Sequence, residues 1–348
     1  MFVDRISGLY MAVKMKKVLI IRLNAMGDVI LALPVAMAIK AQNPNVVVDF
    51  ATRKEYAPIF DQFPAVDTAY SFEGGTMDLL RKLKKQKYDT VIDLQKNPRS
   101  IILTAGINPK NVVSYPKRRL RREFIVRQNK FRLNAGHTVD AYLAALGRLK
   151  VKPLERRPRV VLQPEVDAFG EQFIKESGLG GTIIGLCPGS KHKEKCWQGY
   201  EALADLLIAK GDKGVIVFSG PHDDFDPSLN IQSPRLKPAH DLSLDKVAGI
   251  MNKCNLVVTN DSGLMHLAVA LSTPVVAVFG PTHPSLGFAP LGEFDSVICD
   301  DVYCSPCSLH GEKKCKMPQK YCFEKITPEL VKAEIEKVIH AEHSGKIL

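Results

Sequence analysis

Residues 256–284, LVVTNDSGLMHLAVALSTPVVAVFGPTHP, read as strand, polar turn, helix, strand and polar turn. Few architectures admit that order. Two short apolar runs, 256–259 and 275–279, flank a longer apolar stretch, which is the pattern of parallel strands joined by a crossover helix. Asn260, Asp261 and Ser262 stand where that helix must begin and are cap-forming residue types. Gly263 lets a ligand approach backbone N–H groups that no intrahelical acceptor satisfies. A phosphate suits such a place, and so does an ordinary N-cap.

The same grammar recurs along the chain. In the first half, 17–22 reads as a buried strand, 23–28 as a turn, 29–42 as a helix and 46–51 as the next strand. A helix over 77–87 and a strand over 90–94 extend this unit. In the second half, strands at 182–186 and 214–218 flank a helix over 198–210. At 348 residues the chain exceeds the usual scale of about 100–200 residues per domain, so two domains are expected. The Arg-, Lys- and Pro-rich stretch 148–165 reads as their linker, which divides the chain into 1–160 and 161–348. The predicted fold class is α/β: two Rossmann-like domains whose parallel sheets face a central cleft, with ligands beyond the carboxyl ends of the strands.

Hydrophobic residues make up 45% of the chain, enough for a fully folded protein. Apolar runs such as 274–279 fall far short of the roughly 20 residues a membrane helix needs, and the N-terminus lacks a signal peptide's apolar core. A cytoplasmic location is expected. The net charge of +11 concentrates in two clusters. One holds Lys117, Arg118, Arg119, Arg121, Arg122, Arg127, Lys130 and Arg132; the other runs from Arg148 to Arg159. Such stripes suit a phosphorylated substrate or an anionic membrane surface, and a merely solvated basic face fits equally. Few aromatics interleave them and no nucleic-acid signature accompanies them, so no nucleic-acid partner is expected.

Absent motifs narrow the chemistry. There is no G-x-x-x-x-G-K-[ST], no G-x-S-x-G, and the first strand leads into Asn24-Ala-Met-Gly-Asp28 rather than G-x-G-x-x-G. Each informative strand is instead followed by one glycine and one acid: Met26-Gly27-Asp28 in the first half, Asp261-Ser262-Gly263 in the second. The cleft would carry an acid on either side.

Four ordered segments now carry a resemblance. Ile21-Arg-Leu-Asn-Ala-Met-Gly-Asp-Val-Ile-Leu-Ala-Leu-Pro34, Cys187-Pro-Gly-Ser190 with Lys195-Cys-Trp197, Asn260-Asp-Ser-Gly-Leu-Met-His-Leu267 and Phe279-Gly-Pro-Thr282 resemble the ADP-heptose:lipopolysaccharide heptosyltransferases, glycosyltransferase family nine. The resemblance covers nearly the whole chain. It implies a GT-B fold, with the acceptor held by the first domain, the nucleotide sugar by the second, and a final helix from Thr327-Pro328 packing back on the first domain. It also implies inverting, metal-independent transfer of a heptose from ADP-heptose to an inner-core acceptor, lipid A–Kdo or heptose, at the inner membrane face. A GT-B-like nucleotide-sugar epimerase and a non-catalytic basic binding protein are the alternatives.

Sugar transfer needs a base for the acceptor hydroxyl, and Asp28 is the candidate. As a first-turn acid it also fits a dipole-stabilising role worth about 0.3–1 kcal/mol. Lys195 matches the family's phosphate-binding lysine, with Lys191 and Lys193 as competitors; Ser190, Ser262, Gly263, Leu264 and His266 would complete the phosphate pocket. Asp261 suits either sugar hydroxyls or a helix cap, His266 either the pocket or the core, and Thr282 the donor. Arg118, Arg119, Arg121 and Arg122 are expected to face the acceptor or the membrane. Where related enzymes carry an acid for the ribose, this chain has Gly220-Pro-His222, leaving Asp223 or Asp224 as substitutes. Asp224-Phe-Asp226 spells D-x-D, a pattern common in loops that a lysine-assisted leaving group does not require.

Cys304-Ser-Pro-Cys307, Cys315 and Cys322 crowd into a basic segment. Four clustered thiols suit a structural zinc or iron–sulfur site, although the last pair is spaced by six residues rather than two. A reducing compartment disfavours disulfides there. No cofactor is expected for the reaction itself.

Overall fold

The computed structural model describes residues 15–220 and 233–345. Among them, β1 (Lys17–Ile21), β2 (Val47–Arg53), β3 (Thr68–Phe72), β4 (Thr90–Asp93) and β5 (Asn111–Ser114) form one sheet in the order β3-β2-β1-β4-β5. A second sheet holds β6 (Thr182–Cys187), β7 (Lys213–Ser219), β8 (Leu236–His240), β9 (Leu256–Asn260), β10 (Val275–Phe279) and β11 (Ser296–Cys299), in the order β11-β10-β9-β6-β7-β8. Every pairing is parallel. Helices cover both faces of such sheets, which is why β4, β9 and β10 are buried along their whole length, β10 as a continuous apolar run.

The winding direction reverses between β1 and β4 in the first sheet and between β6 and β9 in the second. Loops after these four strands diverge and open a crevice. Asp28 follows β1, Gln95 follows β4, Ser190 and Lys195 follow β6, and Asp261 follows β9. Strand order alone therefore gathers the site.

The two units meet through the helices that follow β1 and β9, Met26–Leu31 and Gly263–Leu271. A methyl group placed on Gly27 would lie 2.6 Å from Cδ2 of His266 and 3.6 Å from the Gly263 Cα, and one on Gly263 would collide with Met26. Only glycine permits this approach. A backbone clasp adds to it: Ala135 N donates to Ser285 O (2.9 Å), and Thr138 N and Oγ1 both donate to Gly287 O (2.9 Å).

Three expectations shift. The helix expected over 29–42 begins earlier and is interrupted, as Met26–Leu31 and Leu33–Gln42. Pro34 has no N–H to offer the carbonyl four residues back, so the first segment stops there. The final helix, Pro328–Ser344, is capped by Thr327 Oγ1, which accepts from Leu330 N at 3.2 Å. It lies on the second sheet rather than returning to the first: its apolar stripe Val331, Ile335 and Val338 joins the core of Leu186, Leu203 and Val258. That stripe, spaced i, i+4, i+7, has one buried face to give, and the second sheet takes it. The expected linker is narrower than 148–165, since residues 151–163 lack helix or strand and the next helix begins at Pro164.

Gly27→Ala should cost about 1–3 kcal/mol of stability through overpacking. Gly147→Ala, where nothing lies within 4 Å, should change stability by less than about 0.5 kcal/mol. Urea unfolding of the two variants checks this, and equal midpoints would contradict a tight contact at Gly27.

Candidate active site

Asp28 sits in the first turn of the Met26–Leu31 helix, entered through Ala25 at φ 63°. Both of its oxygens are held. Arg22 Nη2 donates to Oδ2 at 2.5 Å, and the Tyr142 hydroxyl donates to Oδ1 at 2.9 Å. Arg22, at the end of β1, is 8% exposed and donates through Nη1 to Leu94 O at 2.8 Å. Burial lowers the guanidinium's pKa, but Asp28 and the tyrosines beside it outweigh that and raise it above the usual arginine range. Gln95 Oε1 accepts from Leu23 N (2.9 Å) and Asn24 N (3.1 Å), fixing the loop that leads to Asp28.

On the opposite side, the cap-forming residues do not cap. Ser262 occupies the N-cap of the Gly263–Leu271 helix without a side-chain cap bond, and its hydroxyl lies 3.2 Å from Thr259 Oγ1. Asn260 faces another strand's loop: its Oδ1 accepts from Trp197 N (3.1 Å) and its Nδ2 donates to Pro188 O (2.7 Å). Asp261 Oδ2 accepts from Lys195 Nζ (3.0 Å) and Thr282 Oγ1 (2.8 Å). The first-turn amides are left without a side-chain cap and suit an anion. Burial pushes the Asp261 carboxyl up, yet Lys195 and the Thr282 hydroxyl prevail and hold it below the usual value.

The three candidate lysines differ in their surroundings. Lys191 and Lys193 are exposed, whereas Lys195 is nearly enclosed beside Asp261. Its stem runs beneath Gly311, where any side chain would collide with it. His266 is buried against Gly27, and burial pushes it down to about 4, against the opposing pull of Asp261 and Asp28. It is neutral at pH 7. Leu264 packs against the core beside it. Ser190 is half-buried on the loop after β6.

Asp28 opens into a cavity of about 500 Å³ lined also by Arg22, Tyr115, Lys117, Arg119, Arg122, Tyr142, His310, Glu312 and Lys313. The expectation for the four arginines divides here. Arg122 is 8% exposed, donates to Thr138 Oγ1 (2.8 Å) and stacks over Phe288, so it cannot face a bilayer. Arg118 is half-buried and donates to Ala135 O at 3.2 Å. Arg119 and Arg121 are exposed. The Nε atoms of Arg22 and Arg122 are buried without hydrogen-bond partners. Sequence reasoning left Arg22, Tyr142, Gln95, His310 and Glu312 unassigned; Arg22 lay within a quoted motif, while Tyr142 reaches Asp28 from 114 residues away with no local signal. His222, Asp223, Asp224 and Asp226 lie outside the described residues. Cys304, Cys307, Cys315 and Cys322 line a second cavity, of about 300 Å³.

Residues 76–319 match the family model described as glycosyltransferase family 9 (heptosyltransferase). The lipooligosaccharide heptosyltransferase 2 of Haemophilus influenzae is 27% identical over 295 residues, covering 77% of this chain and 84% of that protein. Among solved structures, a family 9 glycosyltransferase from Veillonella parvula matches with a TM-score of 0.77 at 21% identity, covering 95% of this chain and 99% of the other. The ADP-heptose lps heptosyltransferase II of Escherichia coli matches with a TM-score of 0.71 at 22% identity, covering 94% and 99%.

The neutral, buried His266 has a consequence for pH dependence. As pH falls from about 6.5 towards 4, the unfolded chain takes up a proton at this residue that the folded chain refuses. Stability should therefore decline over that window, by at most about 3 kcal/mol from this group, and His266→Gln should flatten the decline. His137, also lowered by burial, contributes in the same direction and remains in the variant. Chemical unfolding at several pH values measures both slopes; parallel slopes would remove His266 as a cause.

Proposed function

This chain belongs to glycosyltransferase family 9, and on that premise we propose that it transfers a heptose from ADP-heptose to an inner-core lipopolysaccharide acceptor, lipid A–Kdo or heptose, with inversion. One observation carries the reading: two held carboxylates, Asp28 and Asp261, stand on facing helix starts pressed together at Gly27 and Gly263. The proposal assigns acceptor binding to residues 1–160 and donor binding to 161–348.

In this reading an acceptor hydroxyl enters the basic cavity and gives its proton to Asp28 as its oxygen attacks the anomeric carbon. Arg22 and Tyr142 hold the carboxylate still, which places the base before substrate arrives. The bond to ADP breaks on the opposite face of the sugar carbon, inverting it. Negative charge growing on the diphosphate meets Lys195 and the amides of 263–266, with Ser190 and Ser262 beside them, so the proposed step needs no metal. Asp261 and Thr282 orient Lys195, and His266 closes the pocket wall as a neutral ring. The arginines and lysines around Asp28 suit the acidic groups of the acceptor, and a cavity of that size beside the base favours a transferase over an epimerase. Any metal at the four cysteines would be structural.

No helix among the described residues is long and apolar enough to cross a membrane. The proposal extends to peripheral contact at the cytoplasmic face. The helix Arg119–Gln128 and the residues after it expose Leu120 (82%), Phe124 and Leu133 among Arg119, Arg121, Arg127 and Lys130. Apolar side chains ringed by cations are the composition of an anionic-bilayer contact.

Asp28→Asn should lower kcat by about 10²–10⁴-fold while ADP-heptose affinity persists; turnover near wild type in a lipopolysaccharide-precursor assay refutes the base. Replacing Arg121 and Lys130 by Gln should weaken sedimentation with phosphatidylglycerol vesicles, by about 1 kcal/mol per charge removed, and leave turnover on a soluble acceptor fragment unchanged. Undiminished sedimentation would sink the membrane part alone.

A further inference from the structure

Residues 300–320 follow β11 without helix or strand, and they bring side chains of the second unit to the cavity in which Asp28 of the first unit stands. An ordered loop of this length carries a large entropy cost and needs cross-links of its own. Cys307 N and Ser308 N donate to Pro281 O (3.0 and 3.2 Å), Ser305 Oγ donates to Gly280 O (2.7 Å), and Lys320 pairs with Glu194 at 3.4 Å. These bonds tie the loop to the turns after β10 and β6, and Gly311 lies on the Lys195 stem between them. Its tip, Leu309, His310, Glu312 and Lys313, shares the cavity of about 500 Å³ with Asp28 and Arg22.

The tip is a turn held by its own bonds. Ser308 Oγ and His310 N both donate to Glu312 Oε2 (2.6 and 3.0 Å), and Gly311 N donates to Ser308 Oγ (2.9 Å) at a φ of 83° that favours glycine. Burial pushes the Glu312 carboxyl up, but the Ser308 hydroxyl and the amides of the turn prevail and hold it below the usual value, so it is ionised at pH 7. The His310 ring stands edge-on to Phe288 at 6.4 Å, and Phe288 lies under the Arg122 guanidinium at 4.7 Å. Asp28 and Lys195, the proposed base and the proposed leaving-group lysine, are both within electrostatic reach of that ring. Burial, with Lys195 and Arg122, lowers its pKa against the pull of Asp28 and Glu312, and the neutral ring offers one donor and one acceptor nitrogen. Cations such as Lys117, Arg119 and Arg122 dominate the rest of the wall, and their side chains have no acceptor to give. Sugar hydroxyls bring donors as well as acceptors. Asp28 is already held at both oxygens and Glu123 is paired with Arg119, so Glu312 and His310 supply the acceptors that such a guest needs.

We propose that Glu312 and His310 bind hydroxyls of the acceptor sugar beside the one that reacts, so that both units build the acceptor pocket and residues 1–160 do not carry it alone. The inference rests on the heptosyl-transfer reading. Glu312 keeps Oε2 for the turn and accepts a hydroxyl proton through its other oxygen, a charge-assisted bond. His310 pairs with a neighbouring hydroxyl through its neutral ring, and the acidic groups of the acceptor lie towards the arginines and lysines. A carboxylate at this place also repels a phosphate on the same part of the sugar. The pair thereby selects an acceptor whose hydroxyls next to the reacting one are unsubstituted.

The test uses the full chain with ADP-heptose and a soluble acceptor fragment. Glu312→Gln keeps an oxygen for Ser308 and the His310 amide but loses the charge; it should raise the acceptor KM about tenfold or more and leave the ADP-heptose Kd, measured by calorimetry, within about twofold. His310→Phe keeps a ring against Phe288 but loses both nitrogens, and should raise the acceptor KM about 3–10-fold. Lys314→Gln, on the same loop but lining the neighbouring cavity, should leave that KM unchanged. A fragment phosphorylated next to the reacting hydroxyl should be a poorer acceptor for the wild-type chain and regain part of that loss with Glu312→Gln. An acceptor KM unchanged in either variant, or a loss of ADP-heptose affinity as large as the rise in KM, which a collapsed loop would produce, would overturn the shared pocket while the transfer reading stands. No transfer by the wild-type chain would instead overturn that reading, and the shared pocket with it.

Discussion

Two helix starts meet where neither residue has a side chain. Gly27 and Gly263 let the Met26–Leu31 and Gly263–Leu271 helices approach until the His266 ring and Met26 fill the seam. Everything reactive is placed relative to that seam. Asp28 is the residue after Gly27, and Asp261 is two before Gly263, so one close contact sets where both carboxylates stand. A larger residue at either position would push the helix starts apart and widen the separation between base and leaving group, an error to which positioned chemistry is sensitive at about 1 Å.

Around the seam, charge is paired before any ligand arrives. Asp28 has Arg22 and Tyr142, and Asp261 has Lys195 and Thr282. Burying an unpaired carboxylate is costly, and each of these acids answers that cost with its own cation and hydroxyl. Partners supply geometry as well as charge, because a side chain held at two atoms has little freedom left. The first-turn amides of the Gly263–Leu271 helix are different: residues of the capping type stand before them, but tertiary bonds to Pro188, Trp197, Lys195 and Thr282 draw Asn260 and Asp261 away. The helix start thereby remains suited to an anion.

Loops complete the arrangement. The 135–138 segment is sewn to 285–287 by backbone bonds, and the 300–320 loop lies across Lys195. Arg122 illustrates what such closure does to a residue that composition alone would place on the surface. It lies among exposed Arg119, Arg121 and Arg127, yet its guanidinium is enclosed between Thr138 and Phe288.

The sequence by itself determined the α/β class, the parallel winding and most strand positions, since buried parallel strands such as 275–279 and the 256–258 start of its neighbour are apolar runs that announce themselves locally. It also marked Asp28 and Asp261, because each follows a strand in a glycine-bearing turn, whereas Lys195 was marked by the family resemblance. Tertiary structure alone decided what these residues do to one another. That Asn260 staples a neighbouring loop instead of capping, that Tyr142 reaches Asp28, that the last helix settles on the second sheet, and that four cysteines share a cavity are all outcomes of contacts between distant segments. Periodicity and turn chemistry act over a few residues, whereas a hydrogen bond across 114 residues exists only after two sheets have packed and excluded the water that would otherwise compete for it.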